Sequence, residues 1–125
     1  AALTTGSHGS TFGGNAVAAA AAVKTLEIMT APDFLPGVRK RAAHFRAGLE
    51  RIADRSPKVV GVRGAGFIQG LVLSEPGAAI VAQCLERGVL LNCTADKVLR
   101  FLPPLVITEH EIDQALAIVQ EVLAT

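Results

Sequence analysis

Apolar positions recur with two different periods along this chain, and the change of period divides it. Val38, Ala42, Phe45, Leu49 and Ile52 follow one another at spacings of four, three, four and three. That rhythm winds an amphipathic helix and leaves the arginines on its other faces. Pro36 suits the first helical position, and Pro57 stops the helix near Ser56. Upstream, the Ala18–Ala22 block predicts a helix from about Gly14 to Met29, capped by Asn15 and ended by Pro32, with Asp33 in the connection. Its side chains are small nearly all round, which suits close approach to another surface more than contact with water.

Beyond Pro57 the pattern becomes that of strands. Lys58–Val62 and Phe67–Leu73 are rich in Val, Ile and Leu and read as two strands joined around Arg63–Gly66. The glycines Gly61, Gly64, Gly66 and Gly70 mark a bulge or a close backbone crossing. Pro76 opens a third helix with Ile80, Val81 and Leu85 inward and Gly88 just past its end. Short strands are expected at Val89–Asn92 and Val98–Leu102 around a turn at Thr94–Lys97, the second stopped by Pro103 and Pro104. Thr108 and Glu111 form a capping box for a final helix whose stripe is Ile112, Leu116, Val119 and Leu123. The order is loop-α-α-β-β-α-β-β-α, an α/β sandwich with a small mixed or antiparallel sheet. The two leading helices are longer than such a sheet needs, so something further must pack on them.

Composition narrows the function. Half of the 125 residues are hydrophobic and 18% are charged, which excludes intrinsic disorder. Five Phe with no Trp or Tyr argue against an aromatic nucleic-acid platform or a membrane-interface belt. The net charge of +1 hides an asymmetry. Residues 39–63 hold eight basic groups (Arg39, Lys40, Arg41, Arg46, Arg51, Arg55, Lys58, Arg63) against Glu50 and Asp54, whereas residues 64–125 hold three basic and seven acidic ones. That is a solvated basic helix face, or charge complementarity within the protein or with a partner chain. Cys84 and Cys93 have neither metal-site spacing nor disulfide density and read as reduced packing residues of a cytosolic protein. The longest apolar stretch, Ala16 to Val23, has eight residues where a membrane span needs about 20.

Three segments carry candidate chemistry. Ser7-His8-Gly9-Ser10-Thr11-Phe12-Gly13-Gly14-Asn15 runs into a helix, where hydroxyls and free N–H groups can seat an anion or simply close a tight loop. No lysine follows these glycines, so the phosphate loop of nucleotide hydrolases is unsupported, and nothing places Ser, His and Asp as a triad. Arg63-Gly64-Ala65-Gly66 contains GxG without the strand-helix-strand context of a dinucleotide site, and a glycine-permitted hairpin accounts for it. Arg100 lies between Leu99 and Phe101, on the opposite face of a strand stopped by prolines. A guanidinium held there can grip a carboxylate with two parallel hydrogen bonds, or serve as an ordinary surface or structural arginine. Asn92 and Thr94 are its candidate neighbours.

The Ser7–Asn15 segment with its Ala-rich helix resembles the stretch after the cofactor lysine in class III pyridoxal-phosphate aminotransferases. Val62-Arg63-Gly64-Ala65-Gly66-Phe67-Ile68-Gln69-Gly70 resembles that family's glycine-rich strand pair. Gly88–Asn92 and Leu99–Ile107 are similar to the end of its small domain. The three matches are collinear from about Gly6 onward, and within the class they are most similar to the subgroup acting on N-acetylornithine.

The resemblance implies a fold-type I enzyme using pyridoxal 5′-phosphate (PLP) as a cytoplasmic homodimer. It implies that Thr11, with Ser10 beside it, reaches the cofactor phosphate of the partner subunit, and that Arg100 pairs with a substrate carboxylate, or with an acidic side chain when no carboxylate is there. The implied reaction passes the ω-amino group of N-acetylornithine, in arginine biosynthesis, to 2-oxoglutarate. Residues 1–33 correspond to the tail of the large domain, 34–57 to a linking helix and 58–125 to the small domain. Ala16 departs from the family's usual proline. Lys24, Lys40, Lys58 and Lys97 do not match the cofactor lysine's motif, so no catalytic residue is expected here, nor any metal site. The missing N-terminal part would carry that lysine, and this segment by itself is expected to be inactive. The alternatives are an ornithine or 4-aminobutyrate aminotransferase of the same class, or a free-standing anion-binding α/β module without chemistry.

Overall fold

The computed structural model describes residues 4–6 and 9–125. Ser7 and His8 of the glycine-rich segment lie outside the described residues. The chain divides into two compact units, one ending at Pro36 and the other running from Gly37 to Thr125.

The first unit holds α1 (Ala16–Met29). Asn15 caps it as the sequence predicts, its side chain accepting from the Ala18 N–H at 3.0 Å. The helix stops at Met29, ahead of Pro32, where the Thr30 hydroxyl and backbone N–H both turn back onto the Leu26 carbonyl. No residue of α1 is buried, and Val17, Val23, Leu26 and Ile28 are exposed.

The second unit is a two-layer sandwich. Helix α2 (Phe34–Arg55) begins two residues before Pro36, which still sits in the first turn, where a missing N–H costs no helical bond. Four strands follow: β1 (Val59–Ala65), β2 (Ile68–Leu73), β3 (Asn92–Thr94) and β4 (Val98–Phe101). They form one sheet in the order β1-β2-β4-β3, antiparallel throughout. Helix α3 (Ala78–Glu86) connects β2 to β3, and α4 (Glu109–Ala124) ends the chain.

One face of the sheet carries Leu71, Leu73, Leu99 and Phe101 into a core completed by Phe45, Leu49 and Ile52 of α2 and by Ile112, Leu116, Val119 and Leu123 of α4. Both helical stripes thus bury as their spacing predicts. Phe45 meets the Phe101 ring edge-on at 5.7 Å. A salt bridge from Lys40 to Glu109 at 3.3 Å and a hydrogen bond between His44 and Asp113 at 2.6 Å join the basic α2 to the acidic α4. The capping box of α4 is present, with Thr108 and Glu111 bonded reciprocally.

Three local expectations shift. Strand β1 runs through Arg63 and Gly64 to Ala65, so the hairpin turn is Gly66-Phe67 rather than Arg63–Gly66. Gly64 permits this: at φ +133° it lies so close to the Ile68 carbonyl oxygen that a Cβ would collide with it. Leu85 is exposed and Cys84 faces the core instead, four residues after Ile80. The third strand is Asn92–Thr94 rather than Val89–Asn92, because Val89 belongs to the helix end. Its N–H bonds the Cys84 carbonyl at 2.8 Å while Gly88, at φ +86°, bonds Leu85 at 3.0 Å, the paired closure of a Schellman motif. Thr94 therefore ends β3, and the turn to β4 passes through Ala95 and Asp96, both at positive φ.

Candidate functional site

In the first unit the loop before α1 closes on itself. The Ser10 hydroxyl accepts from the Gly13 N–H at 3.0 Å, and the Asn15 side-chain amide donates to the Phe12 carbonyl at 2.7 Å. These bonds hold Thr11 at the exposed tip, where its hydroxyl has no partner among the described residues. Asn15 takes one free N–H of α1, and the dipole of that helix favours negative charge at this end. The donor set, a free hydroxyl with backbone N–H groups beside it, fits the phosphate of a cofactor such as PLP.

In the second unit the candidate site residues lie on the side of the sheet opposite the helices. Directly opposed residues in antiparallel strands share a face. Arg63 opposes Gly70, Gly70 opposes Arg100, and Arg100 opposes Asn92, so these four form one row across the sheet. The alternation expected for β4 holds: Leu99 and Phe101 enter the core, while Arg100 is exposed on the other face. Asn92 is its neighbour on β3, and Thr94 lines the same 270 Å³ cavity as Arg63, Gly70, Val98 and Arg100. Neither the Arg63 nor the Arg100 side chain has an ion pair or hydrogen bond with any described residue.

Several other cations are engaged, whereas the side chains of Arg39, Arg51, Arg55 and Lys58, like those of Arg63 and Arg100, have no partner among the described residues. Arg46 bonds Glu50 at 2.7 Å, the buried Gln69 side chain at 3.2 Å and the Val62 carbonyl at 3.2 Å, tying the hairpin to α2. Arg41 bonds the Leu105 carbonyl, Lys24 pairs with Glu27, and Lys97 bonds the Ser74 carbonyl. Burial pushes the Cys84 thiol above its ordinary pKa, with Arg87 opposing that weakly, so Cys84 is a packing group. Cys93 is a free thiol as well.

The sequence reading assigned Arg63 to a turn and so missed its place in the row. A two-residue turn at Gly66-Phe67 pairs Arg63 with Gly70 by simple counting, and that choice of turn was the available signal.

Comparison with known proteins covers nearly all of the chain. The family model for class-III aminotransferases matches residues 1–123. An acetylornithine aminotransferase from Caldanaerobacter subterraneus subsp. tengcongensis is 44% identical over 120 residues, 95% of this chain and 30% of that protein. The crystal structure of acetylornithine aminotransferase from Elizabethkingia anophelis superposes with a TM-score of 0.84 at 27% identity, covering 98% of this chain and 32% of the other. Ornithine aminotransferase from Toxoplasma gondii, whose structure shows partial occupancy of PLP at its active site, gives 0.83 at 31% identity over 98% of this chain and 30% of its own. The chain thus spans about 30% of the length of the curated relatives it matches. With both units and the loop, hairpin and β4 segments inside the matched region, the chain belongs to the class-III aminotransferases.

Proposed function

We propose that the whole protein is a PLP-dependent aminotransferase that moves the ω-amino group of N-acetylornithine to 2-oxoglutarate, forming glutamate in arginine biosynthesis, as a cytoplasmic homodimer. The observation that carries this reading is Arg100, a guanidinium with no partner among the described residues, held on a strand that Pro103 and Pro104 terminate. Similarity to acetylornithine aminotransferases at 40–46% identity supports the choice of donor. Among the described residues no helix is long and apolar enough to cross a membrane.

When bound, PLP supplies the amino carrier and electron sink. This chain supplies binding groups. The Thr11 hydroxyl would hold the phosphate of the partner subunit's cofactor, and the Ser10 backbone would support the same loop. Arg100 holds a substrate carboxylate by two charge-assisted hydrogen bonds and so orients the reacting end of the molecule. The lysine that would anchor the cofactor would come from the part of the enzyme before this segment. Residues 1–33 then complete the large domain, 34–57 link, and 58–125 form the small domain.

Steady-state kinetics of the full-length dimer tests this. Arg100→Gln should raise the KM for 2-oxoglutarate by about tenfold or more, the loss of a charge-assisted pair worth about 1.5–3 kcal/mol. An unchanged KM removes the role assigned to Arg100. Thr11→Val should weaken cofactor retention by a similar energy, read from PLP absorbance on dilution. Ornithine as the donor is the second reading, favoured by the likeness to ornithine aminotransferase. Comparing kcat/KM for ornithine and N-acetylornithine separates the two.

A further inference from the structure

The core face of β2 carries a side chain that apolar packing does not call for. Gln69 shares that face with Leu71 and Leu73, and it is the one buried polar side chain in the sheet among the described residues. Burying an amide is costly unless its oxygen and its nitrogen are both bonded. Here both are. The oxygen accepts from the Arg46 Nη1 at 3.2 Å, and the nitrogen donates to the Gly66 carbonyl at 2.7 Å. Arg46 also donates from Nη2 to the Val62 carbonyl at 3.2 Å and from Nε to Glu50 at 2.7 Å. A single guanidinium on α2 therefore holds β1, β2 and, through Gln69, the turn between them.

Each point it holds adjoins the open-face row. Val62 precedes Arg63, Gln69 precedes Gly70, and Gln69 opposes Phe101, the residue after Arg100. Little slack exists between β2 and β4 at this level. The Val98 Cγ1 lies over Gly70, where a Cβ would come within 2.9 Å of it, and Val98 and Arg100 share one face of β4. A shift of β2 at Gln69 thus moves Gly70, the Val98 side chain resting on it and the backbone that carries Arg100. A polar network whose members are all bonded fixes one arrangement, where purely apolar packing tolerates several. We propose that Arg46 and Gln69 are positioning residues, acting from the helix side of the sheet through β2 to fix the place of Arg100. This inference rests on the reading of Arg100 given above.

Steady-state kinetics of the full-length holoenzyme with Q69L, R46M and the double variant tests it. Leu matches the apolar pattern of β2, so Q69L removes both amide bonds and keeps the packing, while R46M gives an independent reading from α2. V119A, a truncation in the buried core of α4, is the control for stability. Each single variant should raise the KM for 2-oxoglutarate about fivefold and keep kcat and PLP absorbance within about twofold, because ground-state and transition-state binding weaken together. The double variant should be no worse than the poorer single one, since both substitutions dismantle one network. V119A should lower the melting temperature and leave KM unchanged. An unchanged KM in Q69L and R46M, beside a raised KM in R100Q, overturns the positioning role and leaves the reading of Arg100 standing. An unchanged KM in R100Q removes both, whatever Q69L does. A KM that rises in V119A in step with lost stability makes the effect one of stability and overturns the proposal. Effects that add fully in the double variant give the two residues separate roles and overturn it as well.

Discussion

Glu111 shows how one side chain couples helix capping to pH. Its carboxylate accepts from the Thr108 N–H at 2.8 Å and from the Thr108 hydroxyl at 2.7 Å, which holds its pKa below the usual glutamate value. A depressed carboxyl stabilises the fold above its ordinary pKa, and that contribution disappears as the pH falls through the lower folded value. Thr108→Ala removes the hydroxyl bond and leaves the backbone N–H bond, so it takes away the smaller of the two contributions that depress it. The variant should melt earlier at pH 7, by about 1 kcal/mol for loss of the cap, and the deficit should shrink below pH 4. Thermal melts followed by circular dichroism at both pH values check this. A deficit that persists undiminished in acid would remove Glu111 from the account.

At the scale of elements, the crossing of α2 and α4 depends on the absence of a side chain at Gly48. A Cβ there would collide with the Leu116 Cδ1, and Leu116 is itself buried in the core. Gly48→Ala gains about 1 kcal/mol of helix propensity but introduces overpacking worth about 1–3 kcal/mol. Net destabilisation is expected from urea unfolding of the wild type and the variant. In a Leu116→Ala background the same substitution should turn neutral or stabilising, because the atom it strikes is gone. An identical cost in both backgrounds would place the strain elsewhere. The hairpin illustrates the same dependence on close approach: Gly64 lets β1 continue past Arg63, and the row of Arg63, Gly70 and Arg100 exists because it does.

At the scale of the molecule, the two units differ in what holds them. The second has a continuous core fed by three helices and a sheet. Helix α1 has 14 residues and buries none of them, and an isolated helix of that length is marginal in water. Hydrogen exchange of the 125-residue chain should therefore be fast along α1 and slow in α2, β2 and β4. In the full-length protein α1 should become protected, since its exposed Val17, Val23, Leu26 and Ile28 would gain partners. Mass spectrometry of peptic fragments reads both. Slow exchange of α1 in the 125-residue chain would show that it needs no further surface.

The elements themselves were legible from the residues alone, because their signals are local. Spacings of three and four set the buried stripes of α2 and α4, Asn15 and Thr108 set two helix starts, and Gly88 marked the end of α3. Alternation in a short strand was enough to turn Arg100 away from Leu99 and Phe101. Tertiary structure decided what local patterns leave open. The face α3 presents was set by packing that preferred Cys84 over Leu85, and the start of β3 by a helix end that used Val89. Which residues stand beside Arg100 depended on strand order and register, and register moves when a turn shifts by one residue. Chain neighbours determine capping and period, but a site assembled across strands exists only once distant segments have paired.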